Sequence, residues 1–325
     1  MPSAPGITDI RAAAGRIRAQ AVYTPLLESP HINRMTGGRV LVKAEPLQRT
    51  GSFKFRGAYN TLSQLTPVEK AQGVVAYSSG NHAQGVALAA NLLGIKATIL
   101  MPADAPAIKI ANTRFYGAEV VTFDRYRESR EELGARLCAD QGATLVKPYD
   151  DPRIIAGQGT VGLEITQQLH DLAIAPDAVV APCGGGGLIS GLSLALKAES
   201  PDLAIYSAEP ENFDDTALSL TRGEIVAVDP AAKSICDALM APQPGALTFS
   251  INKLLLSGGL VVCDSEVRNA MRQAFYHLKL VVEPGGAVAL AALLSGKLDI
   301  QGKTAVAVCS GGNVDAPLFA EILAG

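Results

Sequence analysis

The chain contains no tryptophan, 5% aromatic residues and four histidines in 325 residues. Its five cysteines show no C-x-x-C spacing, which argues against a zinc site or a disulfide framework. No apolar run is long enough to span a bilayer, and the N-terminus lacks the basic and apolar segments of a signal peptide. A net charge of −3 without a basic cluster argues against nucleic acid and anionic membranes as partners. These absences favour a cytoplasmic protein with a small-molecule ligand.

Short β-branched runs alternate with segments of helical periodicity along the chain. We predict nine strands, at residues 40–44, 73–77, 97–101, 119–123, 144–146, 178–181, 203–206, 260–263 and 304–308, and helices that include residues 82–93, 127–138 and 265–278. This alternation is typical of parallel βαβ units with helices on both sheet faces. Since nine strands exceed an ordinary single sheet, the pattern predicts two doubly wound α/β domains.

Turn signals at residues 65–67 and 149–152 mark the predicted domain boundaries. Residues 1–66 and 150–325 are expected to form a discontinuous large domain, and residues 67–149 a small inserted α/β domain. The cleft between two such domains is the usual place for an active site.

Lys54 lies between Phe53 and Phe55 in a segment framed by glycines. Desolvation by aromatic neighbours lowers the pKa of a lysine and prepares it to attack a carbonyl as a Schiff-base lysine. The alternative is a surface lysine whose aliphatic stem lies along apolar neighbours.

Three predicted strands run into loops that carry polar groups or glycines. The loops are residues 78–82 (SSGNH), 183–187 (CGGGG) and 310–313 (SGGN), and a helical pattern follows each of them. We therefore expect each loop to lie at the carboxyl end of a strand and to open a helix, where open α/β sheets bind ligands.

The second loop contains four consecutive glycines, Gly184, Gly185, Gly186 and Gly187. Converging backbone N–H groups at a helix start favour a single phosphate group. The loop matches neither the NTP-binding P-loop nor the dinucleotide pattern. The alternative is a glycine turn that allows close helix–sheet packing. In the first loop, the hydroxyls, amide and N–H groups of residues 78–81 suit a carboxylate and a phenolic oxygen, and in the third loop Ser310 offers a neutral hydroxyl, although helix capping also explains both. With Lys54, the set describes an aldehyde-bearing pyridine phosphate joined to an amino acid.

The segments 52–58 (SFKFRGA), 78–82, 155–160 (IAGQGT), 184–187 and 310–313 resemble fold-type II pyridoxal-phosphate (PLP) enzymes of the serine/threonine dehydratase and serine racemase branch. The resemblance covers nearly the whole chain, with the motifs in family order. It implies a tryptophan synthase β-like fold, PLP as cofactor and a homodimer.

The resemblance also implies a dehydratase (ammonia-lyase) activity. Such an enzyme eliminates water from serine, threonine or 3-hydroxyaspartate and yields a 2-keto acid and ammonia. The alternatives are a serine- or aspartate-type racemase, a β-replacement synthase and a non-catalytic regulator that has kept the fold.

By the same resemblance, the cofactor-binding residues are Phe53, Lys54, Asn81, Ser310 and the four glycines. Lys54 would form the Schiff base with the cofactor and remove the substrate α-proton, and Phe53 would pack against the ring. Asn81 would contact the ring 3-oxygen and the glycines the phosphate. Ser310 would face the pyridine nitrogen, which a hydroxyl leaves largely neutral.

The residues that the resemblance assigns to the substrate α-carboxylate are Ser78, Ser79, Gly80 and His82. Ser79 also occupies the position that protonates the opposite face in racemases, which implies a side racemisation. Arg130 matches an arginine that can reach a second carboxylate, as in 3-hydroxyaspartate, and its alternative is an arginine on a helix surface. Cys236 and Ala238 depart from the pattern common in dehydratases, so the pattern does not predict the size of the pocket or the preferred reaction.

Residues 209–215 (EPENFDD) resemble the divalent-cation site of the racemase branch. Its ligands would be Glu209, the carbonyl of Phe213 and Asp215, with waters completing an oxygen shell suited to Mg²⁺ or Ca²⁺. The alternative is a solvated acidic loop.

Overall fold

The computed structural model of the protein describes residues 3–78, 80–124 and 126–325. Its strands form a six-stranded sheet in the order β1-β2-β10-β7-β8-β9 and a four-stranded sheet in the order β5-β4-β3-β6. The strands are β1 (Leu26–Glu28), β2 (Arg39–Ala44), β3 (Val74–Tyr77), β4 (Ala97–Pro102), β5 (Glu119–Phe123), β6 (Thr144–Leu145), β7 (Ala178–Pro182), β8 (Ala204–Pro210), β9 (Gly258–Val262) and β10 (Thr304–Cys309). All pair in parallel except β1 with β2. The nine predicted strands are confirmed, and the short antiparallel edge strand β1 was not predicted.

Helices cover both sheets and connect the parallel strands. They are α1 (Ile7–Ile17), α2 (Pro30–Thr36), α3 (Lys54–Ser63), α4 (Pro67–Gln72), α5 (Asn81–Leu92), α6 (Ala107–Phe115), α7 (Arg130–Gln141), α8 (Pro152–Asp171), α9 (Gly187–Glu199), α10 (Asp215–Arg222), α11 (Ala246–Leu255), α12 (Asp264–Gln273), α13 (Pro284–Leu294) and α14 (Ala316–Ala324). Within the described residues, none of these helices is long and apolar enough to cross a membrane.

The predicted helix 127–138 begins later than expected, at Arg130. The hydroxyl of Ser129 accepts a hydrogen bond from the backbone N–H of Glu132 and so caps the first turn. The predicted helix 265–278 is confirmed as α12, which continues into a π-helical turn at Ala274–Leu278.

Both sheets have a point at which successive connections leave in opposite directions. In the six-stranded sheet this point lies between β7 and β10, because β8 and β9 extend away on the far side of β7. In the four-stranded sheet it lies between β3 and β6, because β4 and β5 extend away on the far side of β3. Loops at such switch points diverge and leave a crevice at the carboxyl ends of the strands.

Separate apolar cores lie under the two sheets. The core of the six-stranded sheet surrounds α13, whose residues 284–293 are all buried. The core of the four-stranded sheet includes Phe55, Ala58 and Leu62 of α3. The division into domains at residues 66/67 and 149/150 stays a prediction.

A buried ion network fixes the first turns of α3. The guanidinium of Arg56 is fully buried and donates to Glu45, with Nη2 2.8 Å from Oε1, and to Glu164, with Nη1 2.6 Å from Oε1. Because a buried charge without its partners is strongly destabilising, these contacts hold the helix start in place. They therefore also fix the position of Lys54, two residues earlier.

Candidate active site

A cavity of about 150 Å³ opens where the two switch points face each other. Its walls come from the loops that follow β3, β6, β7 and β10, from the start of α3 and from residues 237–241. Of the predicted site residues, the structure brings together Phe53, Lys54, Ser78, Gly80, Asn81, His82, Arg130, Gly184, Gly185, Gly186, Gly187 and Ser310 on these walls. Ser79 lies outside the described residues.

Lys54 presents its amine to this cavity. Its Nζ donates a hydrogen bond to the carbonyl of Pro148 at 2.8 Å and lies 5.2 Å from the centroid of the Phe53 ring. In the described part of the chain, Lys54 forms no ion pair. Burial therefore lowers its pKa from 10.5 to about 8, which makes the free amine accessible near neutral pH.

The glycine loop joins β7 to α9 and needs its glycines. Gly186 has φ = +92°, a conformation that side chains rarely adopt, and a Cβ there would lie 2.8 Å from Thr248. A Cβ on Gly185 would lie 2.4 Å from the ring of Tyr149. Because the loop carries no side chains, its backbone N–H groups are unobstructed at the start of a 13-residue helix, as a phosphate cradle requires.

Ser78 follows β3, and Gly80 precedes α5, which begins at Asn81. The N–H of Gly80 donates to the Ser78 hydroxyl at 3.1 Å. The imidazole Nε2 of buried His82 lies 3.0 Å from the carbonyl of Val146, and burial, followed by the charge of Lys54, lowers its pKa to about 3. The ring is therefore neutral and its Nε2–H donates to that carbonyl, which leaves Nδ1 as an acceptor. A carboxylate would then meet the backbone N–H of His82, one of the first N–H groups of the helix, rather than its ring.

Asn81 and Ser310 lie on the side of the cavity formed by β3 and β10. The Asn81 side-chain N–H donates to Glu283, and its carbonyl accepts from Asn313 at 2.8 Å. The carbonyl of Ser310 accepts from the N–H of Phe53 at 3.1 Å, which ties the end of β10 to the start of α3. The 310–313 loop does not open a helix directly, as was expected, because α14 begins at Ala316.

The geometry fits a PLP-type cofactor, since a buried amine with its pKa lowered to about 8 and a phosphate cradle without side chains line one cavity. Comparison with known proteins agrees: the family described as "Pyridoxal-phosphate dependent enzyme" matches residues 17–311. The chain belongs to this family. PLP is its cofactor, and the fold is the fold type II predicted from the sequence.

Individual relatives match over nearly their full lengths. An L-threo-3-hydroxyaspartate ammonia-lyase of a Pseudomonas species is 44% identical, with 98% of both chains covered. A catabolic L-threonine dehydratase of Escherichia coli K12 is 41% identical, with 97% of this chain and 95% of the relative covered. Among solved structures, maize serine racemase superposes with a TM-score of 0.93 at 39% identity, covering 98% of this chain and 97% of that one.

Arg130 lines the cavity from the first residue of α7. Its guanidinium lies 5.4 Å from the centroid of the Tyr77 ring, and its Nε lies 2.8 Å from the carboxylate of Glu131. The side chain is about half exposed, so a ligand in the cavity can reach it. Of the two residues that depart from the dehydratase pattern, Ala238 lines the cavity, whereas Cys236 is buried in the core of the six-stranded sheet.

None of the three predicted cation ligands is among the described residues that line the cavity. Glu209 is in strand β8, not in a loop, and its carboxylate accepts from the backbone N–H groups of Thr216 and Ala217 at 2.9 and 2.8 Å. Asp215 begins α10 and is buried, with no hydrogen-bond partner on either carboxylate oxygen. Burial raises the pKa of Asp215 to about 7. Phe213, which lies between Glu209 and Asp215 in the sequence, is also buried. A buried carboxylate without partners fits a bound cation, although the described residues contain no cluster of three acidic, histidine or cysteine side chains.

Several residues on or beside the cavity were not found by sequence reasoning. Tyr149 covers the glycine loop, and Tyr77 lies under Arg130. Lys109 reaches the cavity from α6 and pairs with Asp237 and Glu283. Only the turn signal at residues 149–152 marked any of them, because the others depend on contacts between distant segments.

Proposed function

We propose that the chain is a PLP-dependent ammonia-lyase that dehydrates β-hydroxy amino acids and prefers 3-hydroxyaspartate. The observation that carries the PLP chemistry is the amine of Lys54, with a pKa of about 8, in the same cavity as the glycine loop. Dehydration as the reaction is supported by the relatives that are 44% and 41% identical and are named as an ammonia-lyase and a dehydratase. When bound, PLP supplies an aldehyde and a conjugated ring that withdraws electrons from the substrate α-carbon. The products are a 2-oxo acid and ammonia.

The residues of the cavity divide the work between binding and proton transfer. Lys54 binds the cofactor, and its free amine takes the proton from the substrate Cα. The N–H groups at the start of α5 and the Ser78 hydroxyl bind the α-carboxylate. The Ser310 hydroxyl leaves the ring nitrogen neutral, which favours prompt loss of the β-hydroxyl over a long-lived carbanion.

Substrate preference rests on Arg130. Among the described cavity residues, Lys54 serves the cofactor and Lys109 is buried between two carboxylates. Arg130 is 45% exposed and pairs with Glu131 through its Nε, so its guanidinium can also reach a second carboxylate on the substrate. The ring of Tyr77 supports the guanidinium from the other side. The ammonia-lyase of Pseudomonas that is 44% identical acts on a substrate of this kind, as its name states.

The test is a comparison of kcat/KM for L-serine, L-threonine and L-threo-3-hydroxyaspartate, with ammonia and 2-oxo acid both measured. Arg130→Met should lower kcat/KM for 3-hydroxyaspartate at least 100-fold and that for serine less than threefold. Arg127→Met is the matched control, because Arg127 is 86% exposed and outside the cavity. An equal loss for serine and 3-hydroxyaspartate would refute the assignment of Arg130.

Racemisation is the second candidate, supported by the similarity to maize serine racemase. Chiral analysis of the substrate recovered at half conversion separates it from dehydration.

We also propose that Glu209, Asp215 and the Phe213 carbonyl hold Mg²⁺ or Ca²⁺, on the basis of the unpartnered carboxylate of Asp215. Assembly as a homodimer and a cytoplasmic location remain proposals of the same kind.

A further inference from the structure

Lys109 is a buried cation that joins the two sheet units beside the cavity. It lies on α6, which follows β4 of the four-stranded sheet. Its ammonium lies 2.7 Å from Asp237 Oδ2 and 3.1 Å from Glu283 Oε2, and both carboxylates belong to segments that pack around the six-stranded sheet. The side chain is only 2% exposed. A cation this deeply buried is stable only because both carboxylates pair with it.

Glu283 bridges Lys109 and Asn81. One carboxylate oxygen of Glu283 binds Lys109, and the other accepts the side-chain N–H of Asn81. The carbonyl oxygen of the same amide accepts from Asn313. A primary amide has two N–H donors and one carbonyl, so one N–H of Asn81 is left for a ligand in the cavity. The orientation of this amide is therefore set by its two protein partners.

The ionisation state of Glu283 determines whether the Asn81 side-chain amide has one orientation or two. An ionised carboxylate can only accept, so it must face the N–H side of the Asn81 amide. A protonated one can also donate, and the amide would then be free to turn over. Burial raises the pKa of Glu283 and the ammonium of Lys109 lowers it. Burial likewise lowers the pKa of Lys109, but Glu283 and Asp237 more than compensate and raise it above its usual value.

The aliphatic stem of Lys109 makes a second contact with the site. A Cβ on Gly80 would lie 2.4 Å from Lys109 Cδ, so the stem packs directly against the backbone of the loop after β3. The same side chain thus supports the loop with its methylene groups and orients Asn81 through its charge.

We propose that Lys109 is a positioning residue of the active site, which keeps Glu283 an acceptor so that Asn81 presents its remaining N–H to the ring oxygen of bound PLP. The proposal rests on the PLP-dependent function of this site. It does not depend on which hydroxy amino acid is consumed. Lys109 itself touches neither substrate nor reacting atoms in this role.

The test compares Lys109→Met with the wild type, both as purified and loaded with PLP. Without substrate, the cofactor dissociation constant and the pH dependence of the visible spectrum are measured between pH 6 and 9. We expect Lys109→Met to bind PLP at least tenfold more weakly and to show a spectral pH transition that the wild type lacks, because Glu283 then titrates in this range. Glu283→Gln should weaken binding to a similar extent without any such transition, since glutamine has no proton to lose. Lys109→Arg should restore most of the affinity.

Arg114→Met is the matched control, because Arg114 is an exposed arginine on the same helix. Asp237→Asn should give a smaller effect than Glu283→Gln, since Asp237 touches Lys109 but not Asn81. Unchanged affinity and an unchanged spectrum in Lys109→Met, with only a lower Tm, would overturn the proposal and leave Lys109 a purely structural residue. If Lys109→Met does not fold, wild-type affinity in Glu283→Gln overturns it instead. Because no substrate is present, failure here differs from failure of the proposed dehydration, which only turnover measures.

Discussion

Replacing Lys54 with methionine is expected to stabilise the cofactor-free protein while abolishing its activity. Burial lowers the pKa of Lys54 from 10.5 to about 8. This difference of about 2.5 units corresponds to roughly 3 kcal/mol of folding free energy, at 1.36 kcal/mol per unit. Loss of the hydrogen bond to the Pro148 carbonyl costs about 1 kcal/mol. The net gain at pH 7 should therefore be about 2 kcal/mol.

The gain should depend on pH in a defined direction. Below pH 8 the Lys54 amine is protonated in both the native and unfolded states, so the native wild type bears the whole burial penalty. Between pH 8 and 10.5 the unfolded chain keeps the proton and the native chain releases it, so the stability of the wild type rises with pH. The advantage of Lys54→Met should consequently be constant from pH 6 to 7.5 and shrink steadily above pH 8.

Urea unfolding of the cofactor-free proteins at several pH values between 6 and 9.5 measures this effect. Lys96→Met is the control, since Lys96 is 69% exposed and lies 3.7 Å from its partner Glu119. Its stability should stay within about 0.5 kcal/mol of the wild type at every pH. A destabilised Lys54→Met variant, or a gain that does not change above pH 8, would refute the idea that burial without a counter-ion sets the pKa of this lysine.

Three further predictions concern the glycine loop, the cation site and the buried histidine. Gly186→Ala should cost about 1–3 kcal/mol of stability and weaken PLP binding at least tenfold, because Gly186 has a positive φ and an added Cβ would contact Thr248. The control is Gly15→Ala, in open space on α1, which should be neutral or slightly stabilising in the same urea and cofactor titrations. A chelator should lower the Tm of the wild type but not that of Asp215→Asn, and an unchanged wild-type Tm would contradict a bound cation. As the pH falls from 6.5 to 5, the unfolded chain protonates His82 and the native chain, with a pKa of about 3, does not, so stability should fall by about 2 kcal/mol. His82→Gln should lose this part of the acid sensitivity, and an unaltered pH profile in urea unfolding would show that His82 is not buried as a neutral group.

The parts of the site that follow strands could be predicted from the sequence. A β-branched run followed by glycines or hydroxyl residues and then by a helical pattern marks the carboxyl end of a strand. Parallel strands place these ends at one edge of the sheet. Ser78, residues 80–82 and residues 184–187 were placed at strand ends in this way, and Lys54 was found through its motif. These residues line one cavity because each signal is local and the parallel topology brings the strand ends together.

Other parts of the site could not be predicted, because they depend on contacts between distant segments. Lys109 and Glu283 are 174 residues apart in the sequence, and neither stands in a distinctive local pattern. His82 was expected to help bind a carboxylate, but the sequence could not show that its Nε2–H donates to the carbonyl of Val146, 64 residues away. The edge strand β1 has only three residues and pairs antiparallel, so the βαβ pattern gave no reason to expect it.

Lys54 and Lys109 line the same cavity, and the comparison shows what selects the reactive amine. Burial lowers the pKa of both, yet only Lys109 receives carboxylates that reverse the effect. Burial alone therefore does not make a reactive lysine; burial without a counter-ion does. Asp237 and Glu283 pair with Lys109, and within the described residues neither forms an ion pair with Lys54. It follows that removing the charge of Lys109 should leave the buried carboxylate of Glu283 and the partly exposed carboxylate of Asp237 without their counter-ion. Wherever these carboxylates stay ionised, they should raise the pKa of the Lys54 amine and leave less of it as the free base at neutral pH.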